Sequence, residues 1–308
     1  MIRFLLSLRL SLLVFLNLGS PTAGQDLPWL SSGLVGGEFE YKAQRGDSLT
    51  GIGARFGVER SVLARNNNLD PAARLKLGQV LLVDNRHIVP QTLKDGILIN
   101  LPQRMLFNFV QGKLASHYPV GLGRRDWPTP TGRFVIISKE ENPIWDVPKS
   151  IQEEMRREGK VVKTKVPPCP ENPLGIYWMA LSIVGYGIHG TIAPASIYQF
   201  QTHGCVRLHP DDISELFRRV SIGTPGGIVY EPVLLAKLDG DRIYLEVHND
   251  VYRKGGNFLK NMQNFVSNYG LSSAVDWRKA EQVVHKKEGL ARDISKKFPG
   301  SQKVRKVK

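Results

Sequence analysis

His189-Gly190-Thr191 and Thr202-His203-Gly204-Cys205-Val206-Arg207 lie close together in the middle of a 308-residue chain. Cys205 follows one histidine by two positions and the other by sixteen. A free thiol is mostly protonated at neutral pH, so its use as a nucleophile requires a partner that favours the anion. A thiol, a base and a glycine-loosened backbone in one short stretch indicate cysteine acyl transfer.

The two histidines offer Cys205 different geometries. An extended chain points the side chains of His203 and Cys205 the same way but leaves little room for a hydrogen-bonded ring. His189 is far enough along the chain to approach from a neighbouring strand. We therefore expect His189 to be the general base that keeps the sulfur ionised, and His203 to shape the site. The N–H groups of Gly204 and Cys205 are the expected oxyanion donors, because glycine adopts backbone angles that other residues avoid.

Two simpler interpretations compete with catalysis. Cysteine and histidine are often buried for packing alone. His189, His203, Cys205 and His209 are also soft metal ligands, but their spacing matches no compact zinc pattern. We expect neither a metal nor a cofactor.

The segment from His189 to Arg207 resembles the signature of L,D-transpeptidases of the YkuD-like type. The positions in register with that signature include Pro194, Ser196, Thr202, His203, Gly204, Cys205 and Arg207. Two upstream stretches, Thr129-Pro130-Thr131-Gly132-Arg133-Phe134 and Asn172-Pro173-Leu174-Gly175, are similar to further motifs of the family. The resemblance covers residues 95–232 and predicts a catalytic domain there.

In that family a cysteine attacks the peptide bond between an L,D-linked diamino acid and a terminal D-alanine of the peptidoglycan stem. An amine then resolves the acyl-enzyme. The resemblance implies that Cys205 is the nucleophile, that His189 is the base, and that the carbonyl of Gly190 orients the imidazole. It also implies that backbone groups of His203, Gly204 and Cys205 hold the oxyanion.

Arg207, Thr202 and Tyr198 are the residues expected to contact substrate. The fork-shaped cation of Arg207 suits a carboxylate of the stem peptide, although a structural salt bridge is an alternative. Ile192 and Tyr198 depart from the family pattern, which usually has an asparagine and a glycine there. These departures predict a narrower substrate lip.

Residues 40–84 have the pattern of a small strand-helix-helix-strand unit with α+β character. The unit resembles a LysM domain in Arg45-Gly46-Asp47-Ser48-Leu49, Ala64-Arg65-Asn66-Asn67-Asn68-Leu69 and Leu77-Gly78-Gln79-Val80. The resemblance implies binding of glycans that contain N-acetylglucosamine, with Gly46, Asp47, Asn66 and Asn67 as the candidate contacts. The short linker that follows predicts a restricted orientation of the two domains.

The N-terminus predicts export. Arg3 and Arg9 precede an apolar run that ends in small residues, so residues 1–24 are typical of a secretory signal peptide; an uncleaved anchor is the alternative. Residues 25–39 have the composition of a flexible lead-in. Oxidising compartments favour disulfides, so Cys169 is a candidate for an inhibitory bond with Cys205.

The catalytic segment has short runs rich in β-branched and aromatic residues, which predict a mainly β domain of sandwich or barrel-like type. Residues 233–308 are expected to form a C-terminal extension with one strand at 242–247, which we attach to the catalytic unit, and helices at 257–266 and 277–295. The last 33 residues carry eleven Lys/Arg and four Asp/Glu, which is +7 of the net charge of +14. Such a tail suits anionic lipid or cell-wall carboxylates, and no nucleic-acid module is recognisable.

The sequence therefore predicts an exported peptidoglycan L,D-transpeptidase, periplasmic and associated with the cell wall. A non-catalytic wall-binding protein with a LysM domain is the alternative. The acyl acceptor stays open between the amine of a neighbouring stem, which gives a 3-3 crosslink, a lysine of an envelope lipoprotein, and water, which gives trimming.

Overall fold

A computed structural model describes residues 29–296, so the predicted signal segment lies outside the described residues. These residues form three units that pack together: a small N-terminal domain, a central β domain and a C-terminal domain. Within this range, every helix is too short or too polar to cross a lipid bilayer.

The N-terminal domain has the predicted strand-helix-helix-strand order. Its elements and the short strands that flank it are β1 (Leu34–Val35), β2 (Glu38–Lys42), α1 (Leu49–Phe56), α2 (Arg60–Asn66), β3 (Val80–Asp84) and β4 (His87–Ile88). Ser48 caps α1 by accepting a hydrogen bond from the N–H of Gly51, and Gly57 ends the helix with a φ of 72°. Both helices pack their apolar faces against the antiparallel pair β2 and β3.

The central domain is built on an eight-stranded sheet. Its elements are β5 (Gly96–Asn100), β6 (Met105–Val110), β7 (Lys113–Pro119), β8 (Leu122–Gly123), β9 (Gly132–Glu141), β10 (Trp145–Asp146), α3 (Lys149–Arg157), β11 (Lys165–Val166), β12 (Tyr177–Leu181), β13 (Gly187–His189), a 3-10 turn (Pro194–Ser196), β14 (Phe200–Thr202), β15 (Val206–Arg207), α4 (Pro210–Arg219) and β16 (Pro225–Val229). The strand order is β15-β13-β12-β9-β16-β5-β6-β7. The mainly β expectation is confirmed.

The turn between β6 and β7 follows from its own residues. Gln111 and Gly112 both have positive φ and join β6 to β7, as a two-residue hairpin requires. Alternation along the strands buries one face of the sheet against α4, where Ile213 and Leu216 join the core. The core therefore lies behind the strands that end at the candidate site.

The C-terminal domain differs from the prediction. Its elements are β17 (Val233–Leu238), a 3-10 turn (Asp239–Asp241), β18 (Arg242–Val247), α5 (Phe258–Asn268), α6 (Trp277–Lys286) and β19 (Arg292–Asp293). β18 pairs with β17 and β19 in a separate sheet and packs on the two helices, so it does not belong to the catalytic sheet. The predicted long last helix ends at Lys286, because Lys287 adopts the left-handed conformation and the chain turns back as a strand.

Part of the basic C-terminal segment is folded against the N-terminal domain. Arg292 bonds to Asp84 at 2.7 Å, Arg65 bonds to Glu288 at 2.7 Å, and Leu290 joins the hydrophobic core of the N-terminal domain. Arg292 of the basic segment therefore has carboxylate partners within the chain, and contact of the rest of the tail with anionic lipid or cell-wall carboxylates stays a prediction. The segment beyond residue 296 lies outside the described residues.

The lead-in is not flexible where the structure describes it. Ser31 bridges to Ala236 of β17, with its N–H 3.0 Å from the carbonyl of Leu235. β1 pairs with β4 just after the N-terminal domain. Residues 29–39 are therefore tied to the C-terminal domain and to the linker, because their backbone groups find partners that composition does not reveal.

One buried carboxylate joins all three units. Glu246 of β18 lies 2.8 Å from Nδ1 of His87, 2.8 Å from Nε2 of His248 and 3.0 Å from the amide nitrogen of Gln103. The N–H of Ile88 donates to its other oxygen. His87 follows the N-terminal domain, Gln103 belongs to the central domain, and Glu246 belongs to the C-terminal domain, so we call this group the junction.

The junction contains a buried, charged carboxylate. Nε2 of His87 lies 2.9 Å from the carbonyl of Gly57 and Nδ1 lies 2.8 Å from Glu246, so the ring bridges the N-terminal domain and the carboxylate. Burial alone would raise the pKa of Glu246, but the charge of His87 and hydrogen bonds from both imidazoles outweigh it and lower the pKa to about 2. The carboxylate is therefore ionised in the folded protein at neutral pH.

We predict that Glu246→Gln lowers the free energy of unfolding at pH 7 by about 3–5 kcal/mol, because it removes the buried charge to which both imidazoles, the Gln103 amide and the Ile88 N–H are bonded. Urea unfolding measures the loss. Since the folded pKa lies below the ordinary value of 4.5, the contribution of Glu246 is complete above pH 4.5 and disappears as the pH falls toward 2.

The matched control is Glu215→Gln, which removes an exposed partner of Arg219 and should cost less than about 1 kcal/mol. A Glu246→Gln protein as stable as the control at pH 7, or a defect that does not shrink on acidification, contradicts the assignment of a charged carboxylate at the junction.

Candidate active site

An open cleft of about 690 Å³ contains most of the side chains singled out from the sequence. Its lining combines the ends of β13 and β15 with the segment around α3. The predicted site residues on its wall are His189, Thr202, His203, Cys205 and Arg207, and the aromatic ones are Trp145, Trp178 and Tyr186. Residues from separate parts of the sequence thus meet at one opening.

Strand register explains why His189 and Cys205 share a face. β13 and β15 run parallel, with Ile188 opposite Val206 and His189 opposite Arg207. Ile188 and Val206 are buried in the core, so the residues on either side of them point to the opposite face of the sheet. His189, Cys205 and Arg207 therefore project into the cleft from adjacent strands.

The loop that carries Cys205 is held by two threonine hydroxyls. Thr202 donates its hydroxyl proton to the carbonyl of Cys205 at 2.7 Å and accepts the N–H of Gly204 at 3.1 Å. Thr129 donates to the carbonyl of Gly204 at 2.8 Å. The N–H of Gly204 is therefore already bonded to Thr202, so the prediction that it donates to the oxyanion is wrong. The hydroxyl of Thr202 holds the loop and does not point toward substrate.

Gly204 has two reasons to be glycine. Its φ is 108°, in the region that side chains avoid, and a Cβ atom there would lie 2.6 Å from the ring of Tyr186. The expectation of an unusual backbone conformation at this residue is therefore confirmed, although its use differs: it lets the chain turn sharply in front of Cys205.

Both reacting groups are neutral in the resting site. Burial raises the pKa of Cys205, against the opposing effects of the Gly187 N–H and the Arg207 charge. Burial, followed by the charge of Arg207, lowers the pKa of His189 to about 3. These directions favour a protonated thiol and a neutral imidazole at rest, and the sulfur of Cys205 lies 3.9 Å from the carbonyl of Gly185; that an imidazole ionises the sulfur stays a prediction.

The His189 ring is enclosed. Trp178 lies beside it with ring centroids 5.8 Å apart, and Nδ1 is buried without a hydrogen-bond partner. The backbone groups of Gly190 and Leu174 lie near enough to raise the pKa of His189, but they oppose burial only weakly and no hydrogen bond of good geometry reaches Nδ1. Gly190 therefore acts electrostatically on the ring, with Leu174 as a second group that the sequence did not suggest.

His203 connects the nucleophile loop to the helix across the cleft. Its Nε2 lies 2.5 Å from a carboxylate oxygen of Glu154 on α3. Its ring packs against the ring of Trp127, with the two ring centroids 4.1 Å apart. The hydrogen bond from His203 is the main cause that lowers the pKa of Glu154, while burial lowers the pKa of His203. Arg124 binds the same carboxylate at 2.9 Å. His203 thus shapes the site, and no local sequence signal connects it to Glu154.

Arg207 has the features of an anion-binding group. Its Nη1 donates to Ser196 at 3.0 Å, whereas its Nε is buried without a partner. Within residues 29–296 it makes no ion pair, so the alternative of a structural salt bridge is not realised there. Burial lowers the pKa of its guanidinium. An underused cation at the cleft wall suits a substrate carboxylate.

Tyr198 does not contact the cleft, which corrects the prediction. Its side chain is 1% exposed and lies 3.9 Å under the guanidinium of Arg104, next to His87 of the junction. Its positive φ of 59° turns the side chain inward after the 3-10 turn. Ile192 is half exposed and borders a different cavity.

The four candidate glycan contacts have unequal roles. Asp47 accepts hydrogen bonds from the Tyr41 hydroxyl and from the N–H of Gln44, both at 2.7 Å, and thereby closes a turn. Asn67 bonds to both backbone groups of Leu82 and pins α2 to β3. These two side chains are occupied structurally. Gly46, with a φ of 89°, and the half-buried Asn66 stay candidates.

The two cysteines are free and line different cavities, Cys205 the cleft and Cys169 an adjacent one of about 500 Å³. Among the described residues, the group with three potential metal ligands in reach of one another is His87, Glu246 and His248. Its carboxylate oxygens already accept hydrogen bonds from both rings, an amide and a backbone N–H, so the donor set fits the junction described above and not a cation site.

Comparison with known proteins supports both resemblances. The L,D-transpeptidase catalytic domain family, YkuD, matches residues 94–233, and the LysM domain family matches residues 41–84. The probable L,D-transpeptidase YcfS of Escherichia coli is 32% identical over 236 residues, which make up 74% of this chain and 73% of that protein.

Two further relatives carry the same description. The probable L,D-transpeptidase ErfK/SrfK of Salmonella typhimurium is 29% identical over 265 residues, or 82% of this chain and 84% of its own length. The probable L,D-transpeptidase YbiS of Escherichia coli is 35% identical over 177 residues, or 56% and 57% of the two chains. The chain, with its LysM domain and its cysteine-bearing cleft, therefore belongs to the L,D-transpeptidase family.

Proposed function

We propose that this protein is an exported, cell-wall-associated L,D-transpeptidase in which Cys205 attacks the bond between the diamino acid and the D-alanine of a tetrapeptide stem. The observation that carries the proposal is that His189, at the end of β13, and Cys205, directly before the adjacent parallel strand β15, line one cleft. Arg207 on the same face supplies a cation without a carboxylate partner in the described part of the chain.

Acylation begins with a neutral thiol and a neutral imidazole. His189 takes the proton of Cys205 as the sulfur attacks the carbonyl carbon, so the thiolate is formed only during the reaction. Oxyanion charge develops beside the N–H of Cys205, since that of Gly204 is bonded to Thr202. The C–N bond then breaks, the imidazolium returns its proton to the leaving amine, and D-alanine departs from a thioester on Cys205.

Deacylation uses the same groups in reverse. An incoming amine attacks the thioester, His189 takes a proton from the attacking nitrogen, and the thiol of Cys205 is restored. An amine of a second stem gives a 3-3 crosslink, and a lysine amine of an envelope lipoprotein gives anchoring. The three acceptors, water included, differ only in which nucleophile reaches the thioester, so the product identifies the reaction.

The LysM domain gives the catalytic domain a second hold on the same polymer. Its α1 contacts α4 through Arg55 and Asp212 at 3.2 Å, and Glu59 before α2 binds Arg104 at 2.7 Å. These two ion pairs and the junction together hold the LysM domain at a fixed distance from the cleft. Weak glycan binding then raises the local concentration of stems, because a tethered second contact is intramolecular.

Purified disaccharide-tetrapeptides incubated with the protein test the proposal. We expect mass spectrometry to detect release of D-alanine together with a crosslinked dimer, and Cys205→Ala to reduce the yield by more than about 10⁴-fold. Cys169→Ser is the matched control and should retain activity, since Cys169 lines a different cavity. Full activity of Cys205→Ala favours the non-catalytic alternative, and a tripeptide product alone identifies water as the acceptor.

The neutral pair predicts a distinctive pH dependence. Because the pKa of Cys205 is raised above 9.0 and that of His189 is lowered to about 3, alkylation of Cys205 by iodoacetamide should accelerate with pH through the alkaline range. No step should appear between pH 5 and 8, where His189 stays neutral. The rate is measured on the Cys169→Ser protein. A plateau that begins near pH 6 contradicts the neutral pair and indicates a resting thiolate.

Substitution of Arg207 tests carboxylate recognition. Arg207→Gln should raise KM for the tetrapeptide by about 10- to 100-fold, since a charge-assisted hydrogen bond contributes about 1.5–3 kcal/mol. An analogue with a C-terminal amide in place of the carboxylate should bind both proteins equally weakly. Arg218→Gln, an exposed change on α4, is the control. A KM difference that persists with the amide analogue rules out this contact.

A further inference from the structure

The carbonyl of Gly204, directly before the nucleophile, is held by a residue 75 positions away in sequence. Thr129 donates its hydroxyl proton to that carbonyl at 2.8 Å and accepts the N–H of Gly123 at 3.0 Å. Thr129 is 1% exposed, so water cannot replace either bond. The nucleophile loop therefore takes its position from Thr129.

Thr129 and Gly123 are in turn bridged by a side chain from the C-terminal domain. The hydroxyl of Tyr252 donates to the carbonyl of Gly123 at 2.5 Å and accepts the N–H of Thr129 at 3.3 Å. Tyr252 lies beyond the residues 94–233 that match the catalytic domain family. A residue outside the catalytic domain thus completes the support of its nucleophile loop.

Tyr252 is itself fixed by Tyr230 of the catalytic domain and, through it, by Asp250 of the C-terminal domain. Its N–H donates to the hydroxyl of Tyr230 at 3.0 Å, and Tyr230 donates to Asp250 at 2.6 Å. The rings of Tyr252 and Tyr230 stack at 5.7 Å, and Asp250 also accepts the N–H groups of Lys254 and Gly255. Each hydroxyl has both a donor and an acceptor partner, which leaves the phenol of Tyr252 little freedom to move.

Close packing transmits this position to Gly204. A Cβ atom on Gly123 would lie 2.6 Å from the nitrogen of Thr129 and 3.0 Å from the Cα of Gly204. The backbones of the three residues are therefore in contact, and a shift of Gly123 would displace the loop in front of Cys205. Interiors packed at this density pass on small displacements instead of absorbing them.

We propose that Tyr252, acting through Thr129 and Gly123, is a positioning residue for the nucleophile loop, and that the C-terminal domain is thereby part of the catalytic apparatus. The inference rests on the proposed cysteine chemistry. Neither tyrosine nor threonine touches the substrate; their hydroxyls set the place of the Gly204 carbonyl and so the direction of the Cys205 sulfur and N–H. Loss of a hydroxyl should slow acylation and leave binding intact.

Acylation of the full chain by meropenem, followed by intact-protein mass spectrometry, tests this inference. We expect Tyr252→Phe and Thr129→Val to lower the first-order acylation rate at saturation by about 10- to 100-fold, the effect of a misplacement near 1 Å. The dissociation constant of the complex before acylation should not change. Thr129→Ser keeps the hydroxyl, so its acylation rate should stay within about threefold of the wild-type rate.

The matched control is Tyr244→Phe in the same domain. Tyr244 is buried, and among the described residues its hydroxyl accepts a hydrogen bond from Arg242 alone. Its acylation rate should not change. Melting temperatures accompany every rate, so that a slow but folded Tyr252→Phe protein supports positioning. If Thr129→Val fails to fold, the comparison of Tyr252→Phe with Tyr244→Phe decides alone.

The two levels of the argument fail differently. A wild-type protein without a meropenem adduct at Cys205 overturns the proposed function. A wild-type protein that acylates at the same rate as Tyr252→Phe and Thr129→Val overturns the positioning role and leaves the proposed function standing. An equal loss of rate in Tyr244→Phe likewise overturns it, because the effect then belongs to the stability of the domain.

Discussion

The architecture depends on a single ionised carboxylate enclosed by imidazole, amide and backbone donors. Glu246 gathers groups from the LysM linker, the catalytic domain and the C-terminal domain at 2.5–3.0 Å. A charge withdrawn from water is tolerated only when its partners are exact in number and direction. Each unit therefore completes the junction for the other two, which explains how three small cores hold one arrangement.

That arrangement determines what the cleft can do. The LysM domain is fixed to α4 behind the catalytic strands, and the C-terminal domain reaches the nucleophile loop through Tyr252. The central sheet supplies His189 and Arg207 from two strand ends, with Cys205 directly before the second, and hydroxyls from outside the sheet hold the loop that carries Cys205. The proposed chemistry therefore draws on more than one domain.

Features that depend on adjacent residues can be read from the sequence. The strand-helix-helix-strand order of the N-terminal domain and the thiol motif were predicted, and the cap at Ser48 and the turn at Gln111-Gly112 likewise depend on a few adjacent residues. The inward turn of Tyr198, the bond from His203 to Glu154 and the ordered lead-in depend on partners 49 or more positions away, to which no periodicity points. The pKa of Cys205 could not be predicted from the sequence either, because burial raises it and burial is a property of the assembled fold.

The burial of the Cys205 sulfur has a consequence for its reaction with oxidants. Peroxides convert cysteine to sulfenic acid through the thiolate, and the protonated form reacts slowly. Since burial keeps Cys205 protonated and the neighbouring imidazole does not draw its proton away at rest, the idle site presents little of the vulnerable anion. The resting site should therefore be oxidised by peroxide more slowly than an exposed thiolate.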